Sequence, residues 1–306
     1  MMDKPQVLAG HRSARRMRDV RIYLLMLPSL VLISLFFYYP AVSGFIYSFT
    51  RVTTRGAVWA GLANYQRLLA DTRLIASFGN LAQIVVFNVI VVATMPLMAA
   101  VLMFRMRNPR AQYAFRLMYV FPMVVPMVVM IIIWRWIYSL DGGLNILLSL
   151  VGLESITRAW LGDRQLVLYA IMFVNFPWMG GLNFLIYLSG LQSISEELFD
   201  AAIVDGVGPV SRFFLIELPL IRDQIRLLVL LTVIFWLQRF ELPLILTDGG
   251  PGWASMVPGL RMYHSISRDF NIGYGSAIGT VLFILVFGMT MLQMRLGRRR
   301  AAADNR

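Results

Sequence analysis

The residues best suited to binding a ligand lie in an otherwise apolar stretch, 225–247. Six of them carry an aromatic ring, a charge or a hydrogen-bonding group: Thr232, Phe235, Trp236, Gln238, Arg239 and Glu241. Four of the six recur at i, i+3, i+4 and i+7, which places them on one face of a helix. Rings that stack, beside planar groups that hydrogen-bond, suit a polyhydroxylated ligand such as a sugar.

A second apolar stretch, 166–191, contributes polar and aromatic groups of the same kind: Asn175, Trp178, Asn183 and Tyr187. Gly180 and Gly181 lie among them and leave room for a ligand or a kink. Polar groups inside apolar stretches are candidates for function because burying them is costly. For Arg239 and Glu241, pairing with a neighbouring helix or another subunit is an equally good interpretation.

Residues for covalent catalysis or metal binding are missing from the sequence or lack the necessary spacing. There is no cysteine, and the two histidines, His11 and His264, are not in metal-ligand spacing. The chain has no Ser/His/Asp arrangement, no paired carboxylates within its apolar stretches and no G-x-x-x-x-G-K-[ST] pattern. We therefore expect no enzyme activity, no metal site and no nucleotide bound by this chain.

The composition identifies lipid as the solvent of most of the chain. Of 306 residues, 58% are hydrophobic and only 14% are charged, whereas soluble domains average about 25% charged. The net charge of +12 does not indicate nucleic-acid binding, because the arginines lie at the ends of apolar stretches and form no basic face with aromatic residues.

Six apolar segments are long enough to cross a bilayer: 22–49, 75–104, 117–138, 166–191, 225–247 and 274–294. A helix needs about 20 residues to do so, and backbone groups in lipid must bond within their own segment. The first segment is too long for the apolar part of a signal peptide. The predicted fold class is therefore an all-α polytopic membrane protein with six transmembrane helices within 22–295.

The basic residues predict the orientation of these helices. Outside the six segments or at their very ends, 18 Lys and Arg residues lie on the side of both termini and 8 on the other side. Basic residues accumulate in cytoplasmic segments, so both termini are expected in the cytoplasm, with basic tails at 1–21 and 296–306. A short interfacial helix is expected around residues 146–151, after the third segment.

The loop 193–219 is expected on the cytoplasmic side, as two short helices joined by a glycine. Ser193 and Glu196 have the spacing of a capping box. Acidic side chains occupy the first half of the helix that follows: Glu196, Glu197 and Asp200. Gly206 suits the left-handed residue that ends a helix. Pro209 can open the second helix and Pro219 marks its end.

The first of these helices also places apolar side chains at the surface: Leu198, Phe199, Ala201 and Ala202. Such a surface needs a cover. A helix lying on the lipid is one alternative, but acidic residues disfavour an anionic leaflet. A protein partner is the preferred interpretation.

The same loop resembles the signature of bacterial ATP-binding-cassette (ABC) importer permeases: Glu-Ala-Ala, three residues, Gly, nine residues, Ile-x-Leu-Pro. Here the pattern is Asp200-Ala201-Ala202, then Gly206, then Ile216-Glu217-Leu218-Pro219. Asp200 replaces the usual Glu and shortens its reach, and Val207 replaces a common Ala. The resemblance implies that the loop couples to a separate cytoplasmic ATPase, through Glu196, Glu197, Asp200, Ala201, Ala202, Asp205, Gly206 and Pro219.

A second segment, Thr247-Asp248-Gly249-Gly250-Pro251, resembles the Thr-x-Gly-Gly-Pro segment of carbohydrate-importing permeases of the maltose type. The combined resemblance covers about 173–294 and implies the ABC type I importer permease fold in a bacterial inner membrane. It implies four kinds of partner: a second permease that completes a heterodimer, two ATPase subunits that bind ATP and Mg²⁺, an extracytoplasmic substrate-binding protein, and the lipid bilayer.

In that family the late spans line the sugar pathway, which implies substrate contacts by Asn183, Tyr187, Thr232, Phe235, Trp236, Gln238, Arg239 and Glu241. The cargo would be a sugar or oligosaccharide. Arg239 leaves open an alternative cargo, an anionic sugar derivative or a glycerol phosphoester. A secondary transporter is a further alternative, although such proteins usually carry acidic residues deep inside a span.

Overall fold

The computed structural model describes residues 23–53, 56–177 and 180–304, and these ranges are mostly helical. The first half comprises α1 (Tyr23–Tyr47), the strands β1 (Thr50–Thr53) and β2 (Gly56–Trp59), α2 (Ala63–Ala70), α3 (Thr72–Phe104), α4 (Pro109–Val120), α5 (Met127–Ile137) and α6 (Gly143–Leu150). The predicted tail 1–21 and Trp178 lie outside the described residues.

The second half comprises α7 (Val167–Met172), α8 (Gly181–Gln192), α9 (Glu196–Val204), α10 (Pro209–Arg212, continued through Phe213–Glu217 and Leu218–Leu220), α11 (Arg222–Gln238), α12 (Glu241–Thr247), α13 (Pro258–Ser267) and α14 (Ile272–Asp304). Helix α6 confirms the short helix predicted around 146–151. Helix α14 extends into the predicted C-terminal tail.

Three described helices are long and apolar enough to cross a membrane without interruption. They are α1, α3 and the Ile272–Arg295 part of α14, with 25, 33 and 24 residues. At about 1.5 Å per residue, each exceeds the hydrocarbon thickness of a bilayer. They correspond to the first, second and sixth predicted spans, so the chain is a membrane-spanning protein.

The third and fifth predicted spans are sharply bent. The helical segment Pro109–Val124 meets α5 at 95°, and α11 meets α12 at 50°. A proline accompanies each break. Val125 is extended before Pro126, as residues before proline prefer. The ring of Pro243 would clash with the Arg239 carbonyl four residues earlier if the helix continued. The predictions of continuous helices over 117–138 and 225–247 are therefore wrong.

The fourth predicted span, 166–191, is also not one helix. It consists of the six-residue α7 and the twelve-residue α8. Between them Asn175 has φ 67° and Gly180 has φ 83°, both in the left-handed region that an α-helix cannot use. Trp134 Nε1 donates to Asn175 Oδ1 at 2.9 Å and holds the irregular segment in place. The described helices supply three spans, or five if each bent pair counts as one.

Helix α3 is the centre of the packing. It lies against α8 and α11, and its buried side chains meet those of α8 in one apolar cluster: Leu97, Ala99, Ala100, Met103, Phe184, Tyr187 and Leu191. The adjacent alanines on α3 let the two backbones approach closely, as small residues do in membrane helix pairs. The central helices thus form a core from this chain alone.

Helix α1 is different, because no residue of its apolar window is buried. Only its C-terminal part, Tyr39–Tyr47, packs against α14. Large side chains such as Leu25 and Phe37 are exposed along its length. Such a surface requires lipid or another subunit as its cover.

The start of α14 offers a test of this packing. An added Cβ at Gly273 would lie 2.0 Å from the Thr50 carbonyl oxygen, a backbone atom that cannot move away easily. We expect Gly273→Ala to lower the free energy of unfolding by about 1–3 kcal/mol, as overpacked sites do. The thermal unfolding midpoint of the detergent-solubilised protein measures this. Gly288→Ala, on the same helix with open space around it, is the control. Equal midpoints for both variants would contradict the packing.

Candidate coupling surface and transport pathway

The first helix of the 193–219 loop begins later than predicted. Ser195, not Ser193, precedes α9, and its side chain makes no capping bond. Ser193 Oγ instead donates to the Gly190 carbonyl at 2.7 Å. The predicted capping box is therefore wrong, because Ser193 still belongs to the end of α8. The predicted acidic first turn is present, with Glu196 and Glu197.

Gly206 ends α9 as predicted. Its φ of 73° lies in the left-handed region. The Val207 amide donates to the Ala202 carbonyl at 2.9 Å and the Gly206 amide to the Ile203 carbonyl at 3.1 Å. This pair of bonds is the Schellman helix ending. A Cβ at this position would meet no atom within 4 Å. Glycine is thus required here by backbone conformation and not by lack of space.

The loop exposes both acidic and apolar side chains. Of the predicted coupling residues, seven are exposed: Glu196, Glu197, Asp200, Ala201, Asp205, Gly206 and Pro219. Among apolar residues, Val204 is 86% exposed and Leu215 is 69% exposed. Ala202 is an exception, because it is buried and faces the protein. Phe199 is half-buried, with its ring 5.6 Å from that of Phe104 on α3.

Opposite this surface lies a buried carboxylate that the sequence analysis did not single out. Glu217 has no exposed side-chain area. Both of its oxygens accept from Nη2 of Arg105 at 3.0 Å, and one accepts from Nε of Arg212 at 3.0 Å. We call these three residues the Glu217 cluster. A charge between Ile216 and Leu218 beside a predicted span was a signal, but its two partners lie 112 and 5 residues away.

The Glu217 cluster joins α3 to both ends of α10. Arg105 caps the C-terminal end of α3, and its Nη2 also donates to the Pro209 carbonyl, where α10 begins, at 3.0 Å. The guanidinium of Arg212 lies 5.2 Å from the ring centre of Phe199 on α9. A carboxylate with no exposed surface is stable only when charged partners satisfy it. The cluster therefore determines where α10 lies against α3.

The predicted pathway residues of α11 and α12 lie around the 50° bend. Phe235 and Gln238 are exposed, whereas Trp236 is half-buried against the apolar core. The Thr232 hydroxyl donates to the Leu228 carbonyl of its own helix at 2.8 Å. Glu241 accepts from the Phe240 amide at 3.1 Å, in the first turn of α12.

Arg239 occupies the break itself. Its guanidinium stacks 4.1 Å from the ring centre of Phe235 and contacts the sulfur of Met127. Among the described residues no carboxylate oxygen lies within 4.0 Å of it. An ion pair between Arg239 and a neighbouring helix, one of the other interpretations, is thus not made within the described residues, and pairing with another subunit stays a prediction. A half-buried cation without an anion leaves a charge that a ligand or another subunit can satisfy.

The two predicted pathway residues of α8 differ in accessibility. Asn183 is half-buried beside Gly180, where a Cβ would come within 2.5 Å of the Asn183 amide nitrogen. Tyr187 is fully buried in the core with α3, and its hydroxyl has no partner among the described residues. A substrate contact by Tyr187 would require α8 to separate from α3.

The segment that follows α12 is held by its own hydroxyl groups. Thr247 and Ser255 hydroxyls lie 2.7 Å apart, and Ser255 donates to the Gly250 carbonyl at 2.8 Å. Gly249, at φ 84°, turns the chain where a Cβ would press on Met256. These contacts explain the hydroxyl of Thr247 and the glycine at 249.

Asp248 is the polar centre of the same turn. Arg268 donates to both of its oxygens, at 2.7 and 2.8 Å, and His264 Nε2 lies 3.0 Å away. The hydrogen bonds from Arg268 hold the pKa of Asp248 below its usual value, and His264 adds to this effect against the smaller, opposing effect of burial. The ionised form of Asp248 therefore stabilises the connection between α12 and α13.

A polar cleft of about 450 Å³ opens near the start of α3, at the end remote from the Glu217 cluster. It is lined by Thr72, Arg73, Ala76, Asn80, Gln83, Arg164, Gln165, Leu168, Tyr169, Gly252, Trp253 and Ala254. Arg73 stacks 4.5 Å from the ring centre of Trp253. The lining of the cleft includes two arginines, three side-chain amides and two aromatic rings, and it contains no carboxylate. Its size is that of small-ligand sites.

These features define a class of protein: a helical membrane protein with interrupted spans that carry polar side chains, and with a loop of exposed acidic and apolar side chains. The chain belongs to the family described as binding-protein-dependent transport system inner membrane component, whose model matches residues 93–300. It is thus a membrane-embedded transporter component and not an enzyme.

Three curated relatives are similar over nearly their whole length. A probable ABC transporter permease of Bacillus subtilis is 32% identical, covering 89% of this chain and 94% of that protein. The sulfoquinovosyl glycerol transport system permease of Agrobacterium fabrum is 30% identical, covering 90% of each. The trehalose/maltose transport system permease of Thermococcus litoralis is 28% identical, covering 94% of this chain and 97% of that protein.

The fold is similar to that of a solved bacterial ABC transporter involved in the import of the acidic polysaccharide alginate. The TM-score is 0.83 at 19% identity, covering 94% of this chain and 99% of the other. The alginate transporter bound to a periplasmic protein carrying alginate pentasaccharide matches with a TM-score of 0.81, at 19% identity, covering 92% of this chain and 96% of the other. At this identity the likeness establishes the fold alone.

The hydrogen bonds of Asp248 with Arg268 and His264 predict a pH-dependent stability. Because the pKa of Asp248 is lowered on folding, its contribution is complete above the unfolded value of about 3.9 and disappears as the pH falls through the folded value. We expect Asp248→Asn to lower the unfolding midpoint at pH 7, and this difference from the wild type to shrink below about pH 4. Asp200→Asn, which removes an exposed carboxylate, is the control. A difference that stays constant down to pH 3 would contradict the assignment.

Proposed function

We propose that this chain is one of two permease subunits of an ABC importer for a sugar or oligosaccharide. The observation that carries the proposal is the 193–219 loop, two short helices whose acidic and apolar side chains are exposed around the left-handed Gly206. Family membership supports it, as do the sugar-transport names of similar permeases.

The proposed topology has six crossings with both termini in the cytoplasm. Each bent or broken helix pair then counts as one crossing, including α7 with α8. The excess of Lys and Arg on the side of the termini supports this orientation. It assigns the 193–219 loop to the cytoplasm and the polar cleft to the outer face, where an extracytoplasmic binding protein would deliver substrate.

In this arrangement a separate cytoplasmic ATPase docks on the loop. Its contacts are the exposed residues Glu196, Glu197, Asp200, Ala201, Asp205, Gly206 and Pro219, whereas Ala202 supports them from inside. The chain has no phosphate-binding pattern of its own, so two such ATPase subunits would supply ATP and Mg²⁺ binding. The uncovered apolar surface of α1 supports a second permease as partner.

The pathway is proposed to run past the left-handed residues Asn175 and Gly180 and past the break at Arg239–Phe240. Discontinuous helices place irregular backbone and polar side chains inside a membrane protein, which is how many transporters build substrate sites. The residues that would contact the cargo here are Asn183, Thr232, Phe235, Trp236, Gln238, Arg239 and Glu241. Tyr187 would contact it only after α8 had separated from α3.

Gly206 provides the direct test of coupling. A β-branched residue is disfavoured at φ 73°, so we expect Gly206→Val to distort the end of α9 and reduce sugar uptake at least tenfold, the scale of about 1.4 kcal/mol. Uptake is measured in a strain that lacks the chromosomal copy. Gly208→Val is the matched control, because Gly208 has φ −68° and free space around it.

Membrane levels of both variants are quantified by immunoblotting of isolated membranes. Normal uptake by Gly206→Val at wild-type levels would count against the coupling role of the loop. If no sugar uptake depends on the wild-type gene, the cargo assignment fails instead.

An anionic sugar is a second candidate cargo, favoured by arginines that have no carboxylate partner in the described part of the chain. Arg239 lies at the bend of the fifth span. Arg73 and Arg164 line the cleft, which contains no acidic side chain. The permease similar to this chain in Agrobacterium fabrum is named for sulfoquinovosyl glycerol, a sulfonated cargo.

Arg239→Gln separates the two cargo classes. With an anionic cargo we expect uptake to fall by 10-fold or more, because a charge-assisted bond of about 1.5–3 kcal/mol is lost, while uptake of neutral sugars is unchanged. Competition of labelled uptake by uronate and neutral oligosaccharides measures this. Arg135→Gln, at the end of α5, is the control. Equal loss for both cargo classes would eliminate the anionic version.

A further inference from the structure

We propose that Glu217 is a positioning residue that transmits movement of the 193–219 loop to α3 through Arg105 and Arg212. This inference rests on the proposed docking of an ATPase on the loop. It adds the route by which a push on that surface reaches the membrane-spanning helices.

The contacts of Glu217 make this route specific. Its carboxylate is completely buried and accepts three hydrogen bonds of 3.0 Å, two from Arg105 and one from Arg212. Arg105 also donates to the Pro209 carbonyl. In the described residues, every side-chain hydrogen bond that joins the loop to α3 is made by this one arginine.

The remaining contacts between loop and α3 are softer. The ring of Phe199 meets that of Phe104 on α3, and within the loop Arg212 lies over Phe199. Apolar contacts are non-directional and can slide, whereas charge-assisted hydrogen bonds determine distance and direction. The Glu217 cluster is therefore the part of this junction that can transmit a displacement of the loop to α3 in either direction.

Helix α3 is suited to carry the movement onward. It is unbroken from Thr72 to Phe104, about 50 Å at the α-helical rise. It packs against α8 and against α11, the helix that bends at Arg239. Its far end borders the polar cleft. A displacement of α10 at Glu217 thus reaches both the proposed pathway and the opposite face through one rigid element.

Glu217→Gln tests the proposal in the complete complex, reconstituted in liposomes with its ATPase and binding protein. The amide keeps the size of the side chain and removes its charge. We expect the ATPase to remain bound and to hydrolyse ATP, while the ATP consumed per substrate imported rises about tenfold, within the usual range for coupling between two sites. Asp223→Asn, which breaks an exposed ion pair on the next helix, should leave this ratio unchanged.

Two further variants distinguish a loss of coupling from a folding defect. Glu217→Asp retains the charge with a shorter reach, and Arg105→Lys retains one cation with fewer donors. Both should assemble, with ratios between those of the wild type and Glu217→Gln. These two variants decide the question if Glu217→Gln does not assemble.

An unchanged ratio in assembled complexes would overturn the proposal. A parallel fall of hydrolysis and transport would also overturn it, because that is the signature of a purely structural role. Failure of the wild-type chain to bind any ATPase would instead refute the proposed function, and co-purification of the wild-type complex detects this first.

Discussion

The structure depends on one unbroken helix, α3, whose two ends are fixed by charged side chains. At the start of α3, Asp71 accepts from the amides of Arg73 and Leu74 and from the hydroxyl of Tyr274 on α14. At the other end Arg105 binds Glu217. An acid at the N-terminus and a base at the C-terminus both match the helix dipole. Each charge also binds a partner from a distant part of the chain, so α3 is the axis on which the other helices are placed.

The other central helices are interrupted, and the interruptions are where polar groups enter the membrane protein. Lipid cannot satisfy a free amide or carbonyl, so a broken helix must lie inside protein or along a polar route. Asn175, held by Trp134, and Arg239, stacked on Phe235, occupy two such breaks. An unbroken α3 beside interrupted partners is an arrangement that suits the proposed importer function, because many transporters build their substrate sites from discontinuous helices.

The sequence predicted much of the 193–219 loop because the determining interactions are local. Gly206, Pro209 and the acidic first turn act within one or two helical turns, and all three are found where the pattern placed them. The capping box failed for a reason that is also local: the Ser193 hydroxyl donates to the Gly190 carbonyl at the end of α8, and so does not accept from the amide of Glu196. Glu217 was missed because Arg105 lies 112 residues away, and sequence spacing carries no information about such a pair.

The sequence by itself determined that most of the chain lies in lipid, that it is helical, and where the three uninterrupted spans lie. It could do so because hydropathy over about 20 residues reports transfer into lipid. It did not determine where the other spans break. Pro96 lies inside the continuous α3, whereas Pro126 and Pro243 accompany sharp bends. The same residue type has opposite outcomes because neighbouring helices decide whether the freed backbone groups are satisfied. Only the tertiary structure therefore decided the bends, the stacking of Arg239 on Phe235 and the buried Glu217 that joins the loop to α3.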